Sequence, residues 1–306
     1  MRPAGLPLRL SRTSRSRQAN ELWRKLTKII PTNGLNCLRR YGTVIEASGE
    51  RKMRQFPAEF SSILSSHGRG ILHGRASATG LFSGSNTRFS VLRNVVDNRA
   101  ASRCVKLLDD HLYRLLTPMS SRIPRESISG MTVNYGESLP KTMRVKSAAL
   151  QSKREESYRQ ASELGLIGML ESPSLLAFAE AATGLKLEHR GVQALCYEHG
   201  DYAGPHNDHH PEVADLKDGY VDLQVMFSNQ AVKHQWLVYQ HDWHFSRIQD
   251  LNLKGAVAVY KLPFWHYATP LTGKSGREAD ARRWLLLSSF AIVPGAHRRK
   301  RGQAGH

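Results

Sequence analysis

Apolar residues recur at intervals of three and four positions across Asn98–Leu116, which is the spacing of one face of an α-helix. A second helix is predicted over Ala148–Leu170. A third is bounded by clear end signals, with a Ser N-cap, a Pro at the first helical position and a Gly just past the last turn: Ser172, Pro173 and Gly184. The sequence therefore predicts three helices that form a supporting core.

After Gly184 the pattern changes to short runs that alternate or are rich in β-branched and aromatic residues, separated by turns. Regularly spaced short strands of this kind predict an antiparallel sandwich or barrel. Helices followed by strands indicate an α+β fold. The predicted strands are Gly191–Tyr197, Tyr220–Ser228, Gln235–Tyr239, Gly255–Lys261, Trp265–Leu271 and Arg283–Ile292.

We expect four regions along the 306 residues. These are a basic, largely disordered extension over 1–93, a helical support region over 94–184, a β-rich core over 185–293 and a basic tail over 294–306. Residues 40–93 are rich in Gly, Ser and Arg with little apolar periodicity, which is typical of poor order. The longest nearly apolar run, Trp284–Val293, is too short to span a membrane, so we expect no membrane partner.

Basic residues are concentrated outside the β-rich core. The net charge is +18, and residues 1–180 hold 29 basic against 14 acidic side chains, whereas residues 181–290 hold 11 against 12. Such an excess permits nucleic-acid binding. Solvated basic tails explain the same composition, so nucleic acid is only an alternative partner.

The first acidic residue is Glu21, and the preceding segment is rich in Arg and Ser, as in mitochondrial presequences. A disordered extension, or a start assigned too far upstream, has the same composition. The three cysteines, Cys37, Cys104 and Cys196, form no CxxC pair, which suits a reducing compartment. We therefore expect a cytoplasmic protein, with a mitochondrial one as the alternative.

The candidate chemistry begins at His206 and Asp208. Residues two apart on an extended strand project to the same face, so this imidazole and carboxylate can converge on one ion. His266, on a later predicted strand, is the leading third ligand. Two histidines and one carboxylate leave positions open and suit Fe(II), whereas zinc normally takes four ligands.

The last predicted strand begins with two arginines, Arg282 and Arg283. A guanidinium on a buried strand is costly unless it meets an anion, and its planar fork matches a carboxylate. Adjacent strand residues face opposite ways, so only one of the two can enter a barrel. A diacid held by this arginine and by the metal would explain both features.

This order of motifs resembles the Fe(II)/2-oxoglutarate-dependent dioxygenases, and within them the prolyl-hydroxylase-like branch. The resemblance covers roughly residues 185–292. Its motifs are Tyr197/Gly200/Tyr202/His206/Asp208, Gly255–Tyr260, His266/Pro270/Leu271 and Arg283/Trp284. It implies a double-stranded β-helix, or jelly-roll, as the core.

The resemblance also implies roles. His206, Asp208 and His266 would be catalytic and bind iron, Arg283 would bind the far carboxylate of 2-oxoglutarate, and Tyr197 would assist nearby. Arg283 is favoured over Arg282 because Trp284 follows it, as in the resembled pattern. The implied cofactors and cosubstrates are Fe(II), 2-oxoglutarate and O2, with ascorbate as a supporting reductant.

The implied reaction is hydroxylation of an unidentified substrate, a small molecule or a protein side chain, with release of succinate and CO2. Loops at Glu212–Gly219 and Gln240–Asp250 are predicted to line the substrate entrance. Arg283 lies 17 positions after His266, a longer spacing than is usual in the family, and a turn-rich loop at Thr272–Arg277 is predicted to absorb it.

Three alternatives stay open. A cupin-like metal- or ligand-binding module would have the fold without turnover, and a nucleic-acid-associated protein would use the basic tails. The stretch His206-Asn207-Asp208-His209 also partly matches the HxHxDH motif of metallo-β-lactamase-type hydrolases, although Gly204 replaces its first histidine. The other histidines nearby are weaker candidates for metal binding, and His209 and His210 are predicted to be loop residues.

Overall fold

The computed structural model describes residues 55–76, 79–83, 86–122, 142–148, 150–210, 213–214, 216–217, 219–241 and 244–293. The predictions for the targeting segment and for the basic tail therefore lie outside the described residues.

Five α-helices support the sheet in this part of the chain: α1 (Ser66–Leu72), α2 (Asn98–Leu107), α3 (Glu156–Glu163), α4 (Leu166–Leu170) and α5 (Pro173–Thr183). The end signals of α5 are confirmed, because the Ser172 hydroxyl accepts a hydrogen bond from the Leu175 amide and Gly184 adopts a φ of +75°. Helix α2 begins where predicted and continues as a π-helical turn, Leu108–Leu112, and a 3-10 turn, Tyr113–Leu115.

The second predicted helix is shorter than expected. Ala148 ends a strand and pairs with Ala194, so helical structure begins only at Glu156. Gly165, with a φ of +76°, separates α3 from α4. The bend between α3 and the following helical segment Leu166–Thr183 is 78°. No single helix among the residues described is long and apolar enough to cross a membrane, and the two bent segments together would be so by length and composition alone.

Thirteen strands are described: β1 (Phe89–Leu92), β2 (Thr117–Arg122), β3 (Thr142–Ala148), β4 (Leu187–Glu198), β5 (Tyr202–His206), β6 (Tyr220–Ser228), β7 (Val232–His234), β8 (Trp236–His241), β9 (His244–Asp250), β10 (Lys254–Leu262), β11 (His266–Ala268), β12 (Thr272–Gly273) and β13 (Arg282–Ile292). Every predicted strand is present, β6 with the predicted ends and the others with shifted ends.

The strand order defines the fold. The main sheet runs β1-β10-β6-β13-β4-β3-β5-β11-β8-β9, with β2 paired to β3, and β7 and β12 form a separate pair. Two groups of four antiparallel strands, β10-β6-β13-β4 and β5-β11-β8-β9, are thus joined through β3. Successive strands from β4 onward mostly alternate between the groups, which is the connectivity of a jelly-roll. The fold is α+β, with a double-stranded β-helix core and supporting helices.

The two faces of the first strand group contribute to different apolar cores. On β6, Val221 and Leu223 belong to the core that contains residues of α5, whereas Tyr220 and Met226 belong to the core inside the β-helix. This division follows from the alternation of side chains along a strand. On β13, Trp284 faces the helices, so the residues beside it point into the β-helix.

The expected lack of order over 40–93 is wrong for the described part of that stretch. Phe60 and Ile71 are fully buried, and β1 pairs with β10 along its whole length. Scattered apolar residues that enter the core from turns and one short helix leave no periodic pattern, so the composition suggested disorder. The region expected to be helical, 94–184, also contributes the strand pair β2–β3. The domain boundaries themselves stay a prediction.

Two loop predictions also change. The stretch Gln240–Asp250, expected to be a loop, belongs mostly to the hairpin of β8 and β9, because alternating residues on both sides of a tight connection pair with each other. The stretch Thr272–Arg277 does not extend a hairpin between β11 and β13. Its first two residues form β12, which pairs with β7. Glu212–Gly219 is only partly described.

Candidate metal centre and a buried arginine

The pairing of β5 with β11 brings two histidines together from 60 residues apart in the chain. His206 and His266 are directly opposed in this antiparallel pair. Both side chains are buried, and their ring centroids lie 4.3 Å apart. One strand pair therefore positions both predicted histidine ligands.

Asp208 reaches the same point by a different route from the one predicted. Strand β5 ends at His206, and Asp208 lies beyond it with a φ of +51°. This left-handed conformation is uncommon for residues with a side chain, but Asp tolerates it better than most. The prediction that both residues of the His-x-Asp motif lie on one extended strand is therefore wrong, since a turn brings the carboxylate back beside the imidazole.

The three side chains form a group that could hold a metal ion. Asp208 Oδ1 lies 3.5 Å from His206 Nε2, and Asp208 Oδ2 lies 3.5 Å from His266 Nε2. One ligand atom from each residue lies within 4.8 Å of the others, and no other group of three or more such side chains is found in the described part of the chain. The Asp208 side chain is 31% exposed, so the group is open on one side.

Backbone carbonyls fix the orientation of both imidazoles. His206 Nδ1 lies 2.6 Å from the Gly204 carbonyl oxygen, and His266 Nδ1 lies 2.9 Å from that of Phe264. An Nδ1–H that donates to each carbonyl leaves Nε2 unprotonated and directed at Asp208. This is the arrangement in which a histidine binds a metal.

The electrostatics of the group favour a cation. Burial opposes the charge of Asp208, but the neighbouring His206, with smaller contributions from His266 and His210, lowers the pKa of the carboxyl group. Burial would likewise lower the pKa of His206, yet its pairing with Asp208 raises it. For His266, burial and then the charge of His206 lower the pKa to about 4. The Asp208 anion therefore favours positive charge between the two imidazoles, as suits a divalent metal.

Aromatic rings close one side of this centre. Phe264 lies 4.7 Å and Tyr260 lies 5.4 Å from the His266 ring, measured between centroids. Phe89 from β1 packs against Tyr260 at 4.9 Å. A residue from the stretch expected to be disordered therefore packs against the aromatic residues beside the ligand set.

Arg283 lies inside the β-helix and is 1% exposed. Its Nε donates to the Gln235 Oε1 at 2.7 Å, and its guanidinium carbon lies 4.7 Å above the Tyr197 ring. Its Nη1 is buried and has no hydrogen-bond partner. A buried charged group with an unmet donor is costly, so this nitrogen is available to an anion.

Gln235 is the residue that sequence reasoning missed. It is fully buried, and its Nε2 donates to the carbonyl oxygens of Asp201 and Thr269 at 3.3 and 2.9 Å. These carbonyls lie immediately before β5 and after β11, the strands of the two histidines. The sequence predicts Gln235 only as a strand residue, because a single glutamine carries no pattern that marks it as an arginine partner.

Arg282 points to the opposite side of β13. Its guanidinium carbon lies 3.9 Å above the Tyr113 ring, and it approaches Glu198 and Asp109 at 3.8 and 4.0 Å. The expectation that only one of the two arginines enters the β-helix is thus met by Arg283. Tyr197, the predicted helper, is directly opposite Arg283 in the β4–β13 pair.

The other candidate ligands lie apart from this group. The His209 amide donates to the Asn207 side chain, the His210 ring lies 5.9 Å from that of Tyr220, and the His234 ring lies 5.8 Å from that of Trp236. None of them joins the metal-binding group found in the described residues.

Comparisons with known proteins give structural matches only. No family model and no curated protein matches the sequence. A 2OG-Fe(II) oxygenase family oxidoreductase from Burkholderia pseudomallei is 14% identical, with 70% of this chain and 90% of that chain covered and a TM-score of 0.45. A Pseudomonas putida prolyl-4-hydroxylase is 14% identical, with 74% and 99% covered and a TM-score of 0.40.

A further structural match is the non-heme alpha-ketoglutarate-dependent carbocyclase SnoK from nogalamycin biosynthesis. It is 12% identical, with 77% of this chain and 87% of that chain covered and a TM-score of 0.43.

Proposed function

We propose that this protein is an Fe(II)- and 2-oxoglutarate-dependent dioxygenase that hydroxylates a primary substrate. The observation that carries the proposal is that a His-Asp-His group and a buried arginine with an unpaired Nη1 lie inside one β-helix. A metal site alone would not need the arginine, and an arginine alone would not need the open ligand set.

The donor set fits iron. His206, Asp208 and His266 would hold Fe(II) through two imidazole nitrogens and one carboxylate, the set found in non-heme iron oxygenases. Iron bound there would supply the redox chemistry that couples decarboxylation of 2-oxoglutarate with O2, giving succinate and CO2, to oxidation of the primary substrate. The carbonyls of Gly204 and Phe264 keep both imidazoles oriented for this role.

Arg283 would select and orient the cosubstrate. No carboxylate of the chain forms an ion pair with it in the residues described, and burial does not deprotonate an arginine. The far carboxylate of 2-oxoglutarate would supply the missing anion and accept hydrogen bonds from Nη1. Gln235 would hold the guanidinium in place, and the Tyr197 ring beneath it would limit its movement.

The aromatic wall would exclude water. Tyr260 and Phe264 cover His266 on one side, which leaves the exposed edge of Asp208 as the side from which reactants approach. A site with little water protects a reactive oxidant from side reactions.

Uncoupled turnover tests the proposal. The purified full chain, given Fe(II), ascorbate and 2-oxoglutarate without a primary substrate, should release succinate slowly in an iron-dependent way. Binding of 2-oxoglutarate without any succinate would instead indicate a ligand-binding module. No effect of 2-oxoglutarate on the metal-loaded protein would overturn the proposal altogether.

A further inference from the structure

A second buried carboxyl group, Asp222, lies inside the β-helix and has no role in the ligand set. It lies on β6, an interior strand of the sheet between β10 and β13. Its neighbours Val221 and Leu223 are in the core beneath the helices. Because side chains alternate along a strand, Asp222 points to the opposite side, into the β-helix.

Its surroundings place it near the metal centre. Asp222 is directly opposite Tyr260 in the β6–β10 pair, and the Tyr260 ring lies 5.4 Å from that of His266. The negative charge of Asp208 also contributes to raising the pKa of Asp222. Asp222 is therefore one cross-strand neighbour away from the wall of the ligand set.

Arg283 lies at the other end of the β6–β13 strand pair. On β13, Arg283 is opposite Ser228 and Ser289 is opposite Asp222. At about 3.3 Å per strand residue, this register separates the backbone positions of Arg283 and Asp222 by roughly 20 Å, much more than the length of a small diacid. A cosubstrate held between Arg283 and the metal therefore leaves the Asp222 end to the primary substrate.

Asp222 has one polar partner and no cation. The Ser289 hydroxyl donates to Oδ1 at 2.6 Å, and within the described ranges no Lys, Arg or His forms an ion pair with it. The side chain is 7% exposed, and burial raises its pKa to about 7. A buried carboxylate that lacks a cation is costly, and Oδ2 is left for an incoming donor.

We propose that Asp222 binds a cationic nitrogen, an amine or a guanidinium, of the primary substrate. Oδ2 would accept a charge-assisted hydrogen bond from it, while Ser289 holds Oδ1. Tyr220, two residues earlier on the same face of β6, and Tyr260 offer aromatic rings beside this position, where a cation is also favoured. This inference extends the proposed function, since it names the chemical class of that enzyme's substrate.

Paired probes that differ only in charge test it. N-acetyl-arginine amide and N-acetyl-citrulline amide have nearly the same shape, as do N-acetyl-lysine amide and its Nε-acetyl derivative to a lesser degree. Binding to the full chain with Fe(II) and 2-oxoglutarate under anaerobic conditions is measured by calorimetry. At least one cation should bind tenfold or more tightly than its neutral counterpart. Equal affinities, or no binding by either cation, would overturn the assignment.

Variants locate the preference. Asp222→Asn should remove it, and Asp110→Asn is the matched control and should keep it, because it makes the same change of charge in the helical region, where Asp110 pairs with Lys106 at 2.7 Å. Retention of the preference in Asp222→Asn would contradict the proposal. If that variant fails to fold, the comparison of charged and neutral probes on the unaltered protein still decides.

The outcome is separable from that of the proposed function. Uncoupled succinate release by the unaltered protein reports on the oxygenase, whereas the charge preference in binding reports on Asp222. A protein that turns over 2-oxoglutarate without preferring cations refutes only the Asp222 assignment. A protein that prefers cations without turnover refutes only the oxygenase.

Discussion

On the two faces of the sheet around β13, charged side chains differ in the partners that the protein gives them. On the helix side, Arg282 lies above the Tyr113 ring and approaches Glu198 and Asp109. Lys146 adds an ion pair to Glu198 at 2.8 Å. Each of these charges has an opposite charge from the protein within 4.0 Å, although Arg282 Nε itself makes no hydrogen bond within the described part of the protein.

On the inner side, charges are left without such partners. Arg283 has a neutral amide as its hydrogen-bond partner and an unpaired Nη1, and Asp222 has only the Ser289 hydroxyl. Neighbouring residues of one strand thus differ in whether the protein itself neutralises them. Since unpaired buried charge is normally eliminated, we expect ligands to bind on the inner face.

Removing a metal ligand is the change with the largest expected effect. Asp208→Ala should lower affinity for Fe(II) by more than about 100-fold and abolish succinate release, because it removes the only carboxylate of the group. Equilibrium dialysis with Fe(II) or Mn(II) measures this. His209→Ala is the control and should retain metal. Equal metal affinity in both variants would place the site elsewhere.

The two adjacent arginines should then separate sharply. Arg283→Ala should weaken 2-oxoglutarate binding by about 30-fold or more, since loss of one partner of a buried charge pair costs about 2–5 kcal/mol, while metal affinity changes little. Arg282→Ala should leave 2-oxoglutarate binding within about threefold. Titration of 2-oxoglutarate against each metal-loaded variant provides the comparison. The reverse ranking would show that the wrong face of β13 had been assigned to the cosubstrate.

The unpaired Asp222 should make stability depend on pH. Its raised pKa means that the folded state keeps a proton which the unfolded state has already lost, so stability falls as pH rises from about 4 to about 7. Asp222→Asn removes this loss and should be more stable than the original protein near pH 8, by at most about 4 kcal/mol, but not near pH 4. Urea unfolding of the metal-free proteins checks this, and parallel pH profiles would contradict it.

The smallest effect is expected at Gln235. Gln235→Ala should weaken 2-oxoglutarate binding by about tenfold, because a hydrogen bond to a charged group contributes about 1.5–3 kcal/mol, without changing metal affinity. Gln235→Glu would place a carboxylate beside Arg283 and sharpen the test, because an internal anion that neutralises the guanidinium should weaken 2-oxoglutarate binding more than Gln235→Ala does. Both variants lose the hydrogen bonds donated to the carbonyls of Asp201 and Thr269, so a glutamine that only supports the fold would weaken binding in proportion to the stability that each variant loses, measured by thermal unfolding.

The sequence by itself determined the local features. Ser172, Pro173 and Gly184 define the ends of α5 because capping depends on residues adjacent in the chain, and period-two alternation predicted β6 and β13. The same alternation implied that only one of Arg282 and Arg283 could enter the β-helix. The spacing and order of His206, Asp208 and His266 were enough to nominate them as one group.

Only the tertiary structure decided which distant residues meet. The opposition of His206 and His266 requires the register of β5 against β11, and Asp208 reaches them through a left-handed turn that no propensity specifies. Gln235, Asp222 and Phe89 become part of the interior through strand pairing between segments far apart in the chain. Periodicity reports the face on which a side chain lies, whereas its neighbours across the sheet depend on long-range register, which a single sequence does not encode in any local pattern.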